Sequence, residues 1–207
     1  REQGIVHVPK VLYHWRCHPG STAENPESKR YAYEAGRRAV QDFADRMGWR
    51  ARAVDTAHVG FYALRYQGGV FASRADVGAI GGRVAGRGGR TCGGRMTRDG
   101  QVLYGGLRAG YSGYLHRAAL AQDAEAVALR NIRVRPECQE LFRRVTGIPY
   151  RTVPGTDRFD ASGLGEDMDI VDLSLQFCQA LRKEGYRILY LPEPAQEARK
   201  MRKAQRP

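Results

Sequence analysis

The densest acidic patch in the sequence is Asp157, Asp160, Glu166, Asp167, Asp169 and Asp172, in a chain whose formal net charge is +12. Glu166 and Asp167 fall at the start of a predicted helix, where free backbone donors and the helix dipole favour negative charge. Asp169 and Asp172, three residues apart, share one helix face. Carboxylates at a helix start, just after a glycine-containing turn, have two uses. They cap the helix, or they serve as a general base or hold a divalent cation. For the second use Asp167 ranks first, because the helix entry can orient it toward a pocket at a sheet edge. Asp169 ranks second, with Asp172 as the alternative and Glu166 beside them.

A second set of candidates lies near the start. His14, Cys17 and His18 have a spacing that suits metal only on a helix, and Pro19 and Gly20 end any helix there. Tyr13, His14, Trp15 and Arg16 can line a sugar or pyrophosphate pocket, or form the packed aromatic end of a strand. A third set is the run Gly81-Gly82-Arg83, Gly86-Arg87, Gly88-Gly89-Arg90 and Gly93-Gly94-Arg95. It lacks the Gly-Lys-Ser/Thr of a phosphate loop. It resembles an RGG-type segment, which binds RNA through phosphate contacts and arginine stacking. The charge excess attracts anions, whether nucleic acid, an anionic membrane face or phosphorylated substrates. Arginine is also spread along the whole chain, as on an ordinary solvated surface.

These residues need elements to hold them. The 207 residues, 42% of them hydrophobic, are enough for one ordinary domain or two small ones. No apolar run approaches the roughly 20 residues of a membrane span, and no apolar leader opens the chain. The four cysteines form no CxxC pair, which points to a reducing cytoplasm. The chain does not start with Met, as expected of an excised piece. Residues 4–15 read as a strand interrupted by Pro9, and 17–27 as a polar loop. A helix is predicted over 28–47, capped by Ser28, with Tyr31, Ala35, Ala39, Phe43 and Met47 as its buried stripe. Residues 52–67 form a short apolar segment. Strands are predicted over 77–84 and 102–107, with a loop over 85–100 between them. Residues 116–130 suit a helix or a strand, and 136–146 a helix ended by Gly147. A polar turn spans 153–165. The helix 167–184 presents Ile170, Leu173, Phe177 and Leu181 to a sheet, and a strand over 186–191 follows. The alternation of helix and strand favours an α/β class.

The run Gly165-Glu-Asp-Met-Asp169, followed by Asp172-Leu-Ser-Leu175 and Leu181-Arg-Lys-Glu-Gly-Tyr-Arg-Ile-Leu-Tyr-Leu-Pro-Glu-Pro194, resembles the closing region of bacterial family 2 glycosyltransferases. Asp76-Val-Gly-Ala-Ile-Gly-Gly-Arg-Val84 and Asp99-Gly-Gln-Val-Leu-Tyr-Gly-Gly106 resemble the strand leading into that family's acceptor half. Ile5 to Arg16, His18, Ser21-Thr-Ala23 and Tyr31-Ala-Tyr-Glu-Ala-Gly36 resemble the tail of a preceding transferase domain. Together these stretches cover about half the chain.

The resemblance implies a partial nucleotide-diphospho-sugar transferase fold, Rossmann-like and of the GT-A type, with the donor-binding half missing. Residues 1–52 would be the tail of one domain and 53–207 the acceptor-side part of a second. The opening strand and the Asp-x-Asp that holds metal and diphosphate are absent, so residues 60–75 run into the acceptor half where roughly a hundred residues of nucleotide-binding fold are expected. The parent activity would be inverting transfer from a nucleotide sugar to a growing glycan, as in cell-envelope polysaccharide synthesis. One acid of the group 166–172 would deprotonate the acceptor hydroxyl. A helix about one turn longer than usual leaves that role open between Asp167, Asp169 and Asp172. A complete domain would use Mn or Mg, and its partners would be nucleotide sugar, glycan acceptor and the missing donor half. The expected location is cytoplasmic, or peripheral at the inner membrane face. The isolated chain is expected to be inactive, and the alternative function is a basic Gly/Arg-rich RNA-binding module.

Overall fold

A computed structural model describes residues 9–14, 30–85, 87–108, 110–164 and 170–192 of the chain. The predicted strand 4–15 and loop 17–27 fall largely outside them, and residues 9–14 are exposed and in no regular element. Four α-helices are described: α1 (Arg30–Arg46), α2 (Val70–Ser73), α3 (Gln139–Thr146) and α4 (Ile170–Lys183). The strands are β1 (Ala51–Asp55), β2 (Tyr62–Tyr66), β3 (Val77–Gly81), β4 (Val84–Ala85), β5 (Thr91–Cys92), β6 (Arg95–Met96), β7 (Val102–Leu103), β8 (Gln122–Ala124), β9 (Ala126–Val127), β10 (Arg133–Val134) and β11 (Arg187–Tyr190). None of the described helices is long and apolar enough to cross a membrane.

Helix α1 lies close to its predicted span, but its buried face is a different one. Tyr31, Phe43 and Met47 are 68%, 45% and 49% exposed, and Ala35 and Ala39 are exposed too. A four-residue step overshoots a full turn by about 40°, so the series 31–47 winds roughly 160° around the helix and cannot stay on one side. The face that packs holds Tyr33, Gly36, Val40 and Ala44, whose spacings of three and four cancel that drift. It rests on the antiparallel hairpin β1–β2, which replaces the single apolar segment expected over 52–67. Gln41 ties the two together, donating to Ala51 O (3.1 Å) and accepting from Ala53 N (2.8 Å). The hairpin tip reaches across the molecule, where the His58 ring stacks on His116 with centroids 3.4 Å apart.

The main sheet has the order β10-β3-β11-β8. β11 runs parallel to β3, while β10 and β8 run antiparallel to their neighbours. Apolar side chains cover both faces of the central pair. Ala79, Ile188 and Tyr190 join the larger core with α3 and α4, and Val77, Ile80 and Leu189 pack with Val70. Phe177 and Leu181 of α4 are fully buried and Ile170 and Leu173 half-buried, so the predicted stripe does face inward. Phe142 of α3 meets Phe177 edge-to-face at 5.0 Å. Ser174, buried on α4, accepts from Leu129 N and donates to Ile170 O. Gly147 ends α3 in a left-handed conformation. Residues 114–131 form 3-10 turns around β8 and β9. The predicted strands 77–84 and 102–107 shorten to β3 and β7 because β4, β5 and β6 fold the intervening run back in two-residue pairs.

The hairpin and sheet are joined by residues 67–76. Gly68 and Gly69 form an exposed turn with φ of 68° and 89°. On its flanks Gln67 N donates to Arg50 O (2.8 Å), and Ser73 Oγ donates to Arg50 O and Gln67 O (2.9 and 2.8 Å).

Past the end of β3, a Cβ on Gly82 would lie 2.2 Å from the Leu191 carbonyl oxygen. Backbone cannot retreat as a flexible side chain can, so Gly82→Ala is expected to cost about 1–3 kcal/mol. Gly163, with open space around it and no positive φ, should accept Ala within about 0.5 kcal/mol. Urea denaturation of both variants measures the contrast, and equal losses would remove the close-approach explanation.

Candidate functional site

Because β3 and β11 are parallel, their carboxyl ends share one edge, with Gly81 opposite Tyr190. Ligands of open α/β sheets bind outside such edges. The chain leaves β3 through Gly82 and Arg83, and leaves β11 through Leu191 and Pro192; Leu191 N donates to Gly81 O (2.8 Å). Arg83 and Asn131 are both buried here, and Asn131 Nδ2 donates to Gly82 O. Tyr190 is fully buried, and its hydroxyl donates to Ala118 O (2.8 Å). Burial pushes that phenol above its ordinary range, and the Arg83 charge pulls weakly the other way. The half-buried Tyr104 ring lies 5.4 Å from that of Tyr190. Tyr104 has φ 67°, which is rare for an aromatic residue and of the kind that collects at functional sites. The edge offers donors and aromatic faces, which suit binding and orientation.

A groove of about 410 Å³ is lined by Arg95, Asp123, Glu125, Arg182, Tyr186 and Arg187. Its charges are largely paired: Arg182 with Glu125 at 2.8 Å, and Arg187 with Asp123 at 2.7 Å. Pairs this exposed contribute little stability.

The residues singled out from sequence are distributed as follows. Trp15, Arg16, Glu166, Asp167 and Asp169 lie outside the described residues. His14 is exposed. Asp172 is exposed on the face of α4 opposite Phe177 and accepts from Gln176 Nε2 (2.5 Å). The earlier acids of the patch have structural work. Asp160 caps a 3-10 turn by accepting from Ser162 N (3.0 Å), and that bond holds its carboxyl below the usual range. Asp157 pairs with Arg133 at 3.7 Å, and its carbonyl accepts from Tyr150. Among the described residues no three His, Cys, Asp or Glu side chains converge on one point. Cys178 is fully buried and its thiol is pushed up to about 12 by that burial, so it is no nucleophile.

Sequence reasoning missed the arginines that organise this region. Arg135 Nε donates to Val77 O (2.7 Å), and its Nη2 reaches Phe71 O and Arg74 O. Arg74, only 3% exposed, pairs with Asp76 at 2.7 Å and lies 4.0 Å from the Trp49 ring. The available signal was an arginine next to a strand boundary, which applies to Arg74, Arg83 and Arg135 alike.

No family model matches the chain, and no solved structure matches it. A stretch of 42 residues is 50% identical to part of an uncharacterized protein, y4gI, of Sinorhizobium fredii (strain NBRC 101917 / NGR234), covering 20% of this chain and 5% of that protein's length.

The Arg74 hydrogen bonds hold the Asp76 carboxyl below its usual range. Its stabilising contribution is therefore present above the unfolded value of about 3.9 and is lost as pH falls through the lower folded value. Asp76→Asn leaves Arg74 buried without its counter-charge. With the Asp76 side chain 36% exposed, the expected loss at pH 7 is about 1–3 kcal/mol. The gap from wild type should close as the pH drops below about 4. Denaturant titrations across pH check this, and a pH-independent gap would contradict it.

Proposed function

We propose that the chain is an acceptor-side portion of a family 2 glycosyltransferase, derived from an enzyme that transfers a sugar from a nucleotide sugar to a glycan with inversion. Most direct in its support is the parallel pairing of β3 with β11, backed by α4. Residues 76–84 and 170–192, far apart in sequence, carry the resemblance and meet at one sheet edge. In the parent reaction a carboxylate takes the proton of an acceptor hydroxyl, whose oxygen then attacks the anomeric carbon as the nucleoside diphosphate leaves. Asp167 is the first candidate for that base and Asp169 the second. Asp172, on the outer face of α4 and bonded to Gln176, is the least suited.

The one Asp-x-Asp in the sequence, Asp167-Met168-Asp169, belongs to the acidic group of the closing region and none precedes residues 76–84, and the hairpin strand β2 is followed by β3 after residues 67–76 alone. The purified chain is expected neither to hydrolyse nor to transfer UDP- or dTDP-sugars in the presence of Mn or Mg. Metal-dependent turnover abolished by Asp167→Asn would overturn the inactive assignment. An experimental structure in which residues 77–192 do not superimpose on the acceptor side of a family 2 transferase would overturn the family assignment itself.

The Gly/Arg run divides between an exposed middle, Gly88, Gly89 and Arg90, and packed ends. Cβ atoms on Gly81 and Gly94 would meet Val127 and the Leu103 carbonyl oxygen at 2.5 and 2.1 Å, and Arg83 is buried. Gly81 and Gly94 therefore serve packing, which leaves only the short exposed middle of the run for phosphate contacts. Binding to single-stranded RNA should be weak and collapse between low and physiological salt. Tight binding that survives 200 mM salt and is lost in an Arg83, Arg87, Arg90 and Arg95 to Ala variant would reverse this.

A further inference from the structure

We propose that Arg83 anchors a binding site for a small oxyanion, the phosphate or carboxylate group of a ligand, at the carboxyl edge of the parallel β3–β11 pair. Arg83 is only 8% exposed. A guanidinium keeps its proton in proteins, so this is a buried positive charge that cannot neutralise itself. Among the described residues no hydrogen bond or ion pair engages it, and its Nη1 is buried without a partner. Arg74, the other deeply buried arginine among the described residues, has a carboxylate at 2.7 Å. Half-buried Arg135 has three backbone carbonyls and the Glu137 carboxylate.

A buried ion without a counter-charge is strongly disfavoured, and native proteins pair it. The neighbouring Asn131 has its own unpartnered buried atom, Oδ1, while its Nδ2 holds the Gly82 carbonyl. A water shared by Asn131 and Arg83 would satisfy hydrogen bonds and leave the charge in place. An anion satisfies both requirements. The planar guanidinium fork matches phosphate and carboxylate oxygens in pairs. The Tyr104 and Tyr190 rings flank this edge, and Gly82, with no room for a side chain, keeps the backbone close. An oxyanion site here does not depend on the chain's descent from any transferase family.

The test uses the full chain at constant ionic strength, with chloride replaced stepwise by inorganic phosphate or by acetate. Thermal unfolding and anion NMR line broadening are the readouts. Saturable stabilisation with phosphate points to a phosphate-bearing ligand, and saturation with acetate to a carboxylate-bearing one. Either effect should disappear in Arg83→Gln and persist in Arg98→Gln, where an 82% exposed arginine is removed. Arg83→Lys keeps the charge and loses the fork, so it should weaken binding about tenfold; this arm decides if Arg83→Gln does not fold. The proposal is overturned if neither anion acts beyond chloride, if the effect survives in Arg83→Gln, or if Arg83→Lys binds as tightly as wild type.

Discussion

Along one flank of β3 there is no room for side chains, and the neighbouring elements are placed by that fact. A Cβ on Gly78 would meet Tyr186 at 2.8 Å, on Gly81 it would meet Val127 at 2.5 Å, and on Gly82 the Leu191 carbonyl oxygen. Three glycines in six residues would ordinarily weaken a strand. Here they let α4, β9 and the chain beyond β11 close on the backbone itself. The aromatic core of Phe142, Phe159 and Phe177 then fills the space that remains beneath the sheet. The same closeness brings the two strand ends, Gly82 and Leu191, together at the edge where ligands of such sheets bind.

The charge excess is only partly a surface property. Arg135 and Arg50 spend their donors on backbone carbonyls, Phe71 O and Ala72 O among them, and so brace the joint between hairpin and sheet. Arg74 adds a carboxylate pair and an aromatic face to the same joint. An arginine in this role cannot be exchanged for lysine at equal effect, because the planar fork supplies several donors in fixed directions. Arg83 is buried like Arg74, yet among the described residues it has none of these partners, and that contrast sets it apart.

Helix α4 and strand β11 were legible from sequence because their apolar residues repeat at spacings that stay on one face, and α3 because proline and glycine bracket it. The spacing in α1 misled because a constant step of four drifts around the helix, while the small residues Gly36 and Ala44 that make the true contact carry little hydrophobic signal. The two-residue strands β4 to β7 had no readable period, since alternation needs more residues than they contain. At the candidate edge, the role of Gly82 was invisible because it depends on Leu191, more than a hundred residues away in sequence. The burial of Arg83 was hidden for a similar reason, since Tyr190 comes near it only through the sheet.

The turn at Gly68 and Gly69 carries a consequence for how the chain tolerates lengthening. Its flanks are tied down on their own account, by Gln67 to Arg50 on one side and Ser73 to Arg50 on the other. Opening the peptide between the two glycines would leave both anchors in place, with the new ends a single bond apart and facing solvent. Closure entropy rises slowly, by about 0.6 kcal/mol for each doubling of length. A folded insert with adjacent termini is therefore admissible at this seam. Seen in reverse, a domain lost between hairpin and sheet would leave behind a scar of this kind: two glycines, outward-facing, on a joint already complete without them.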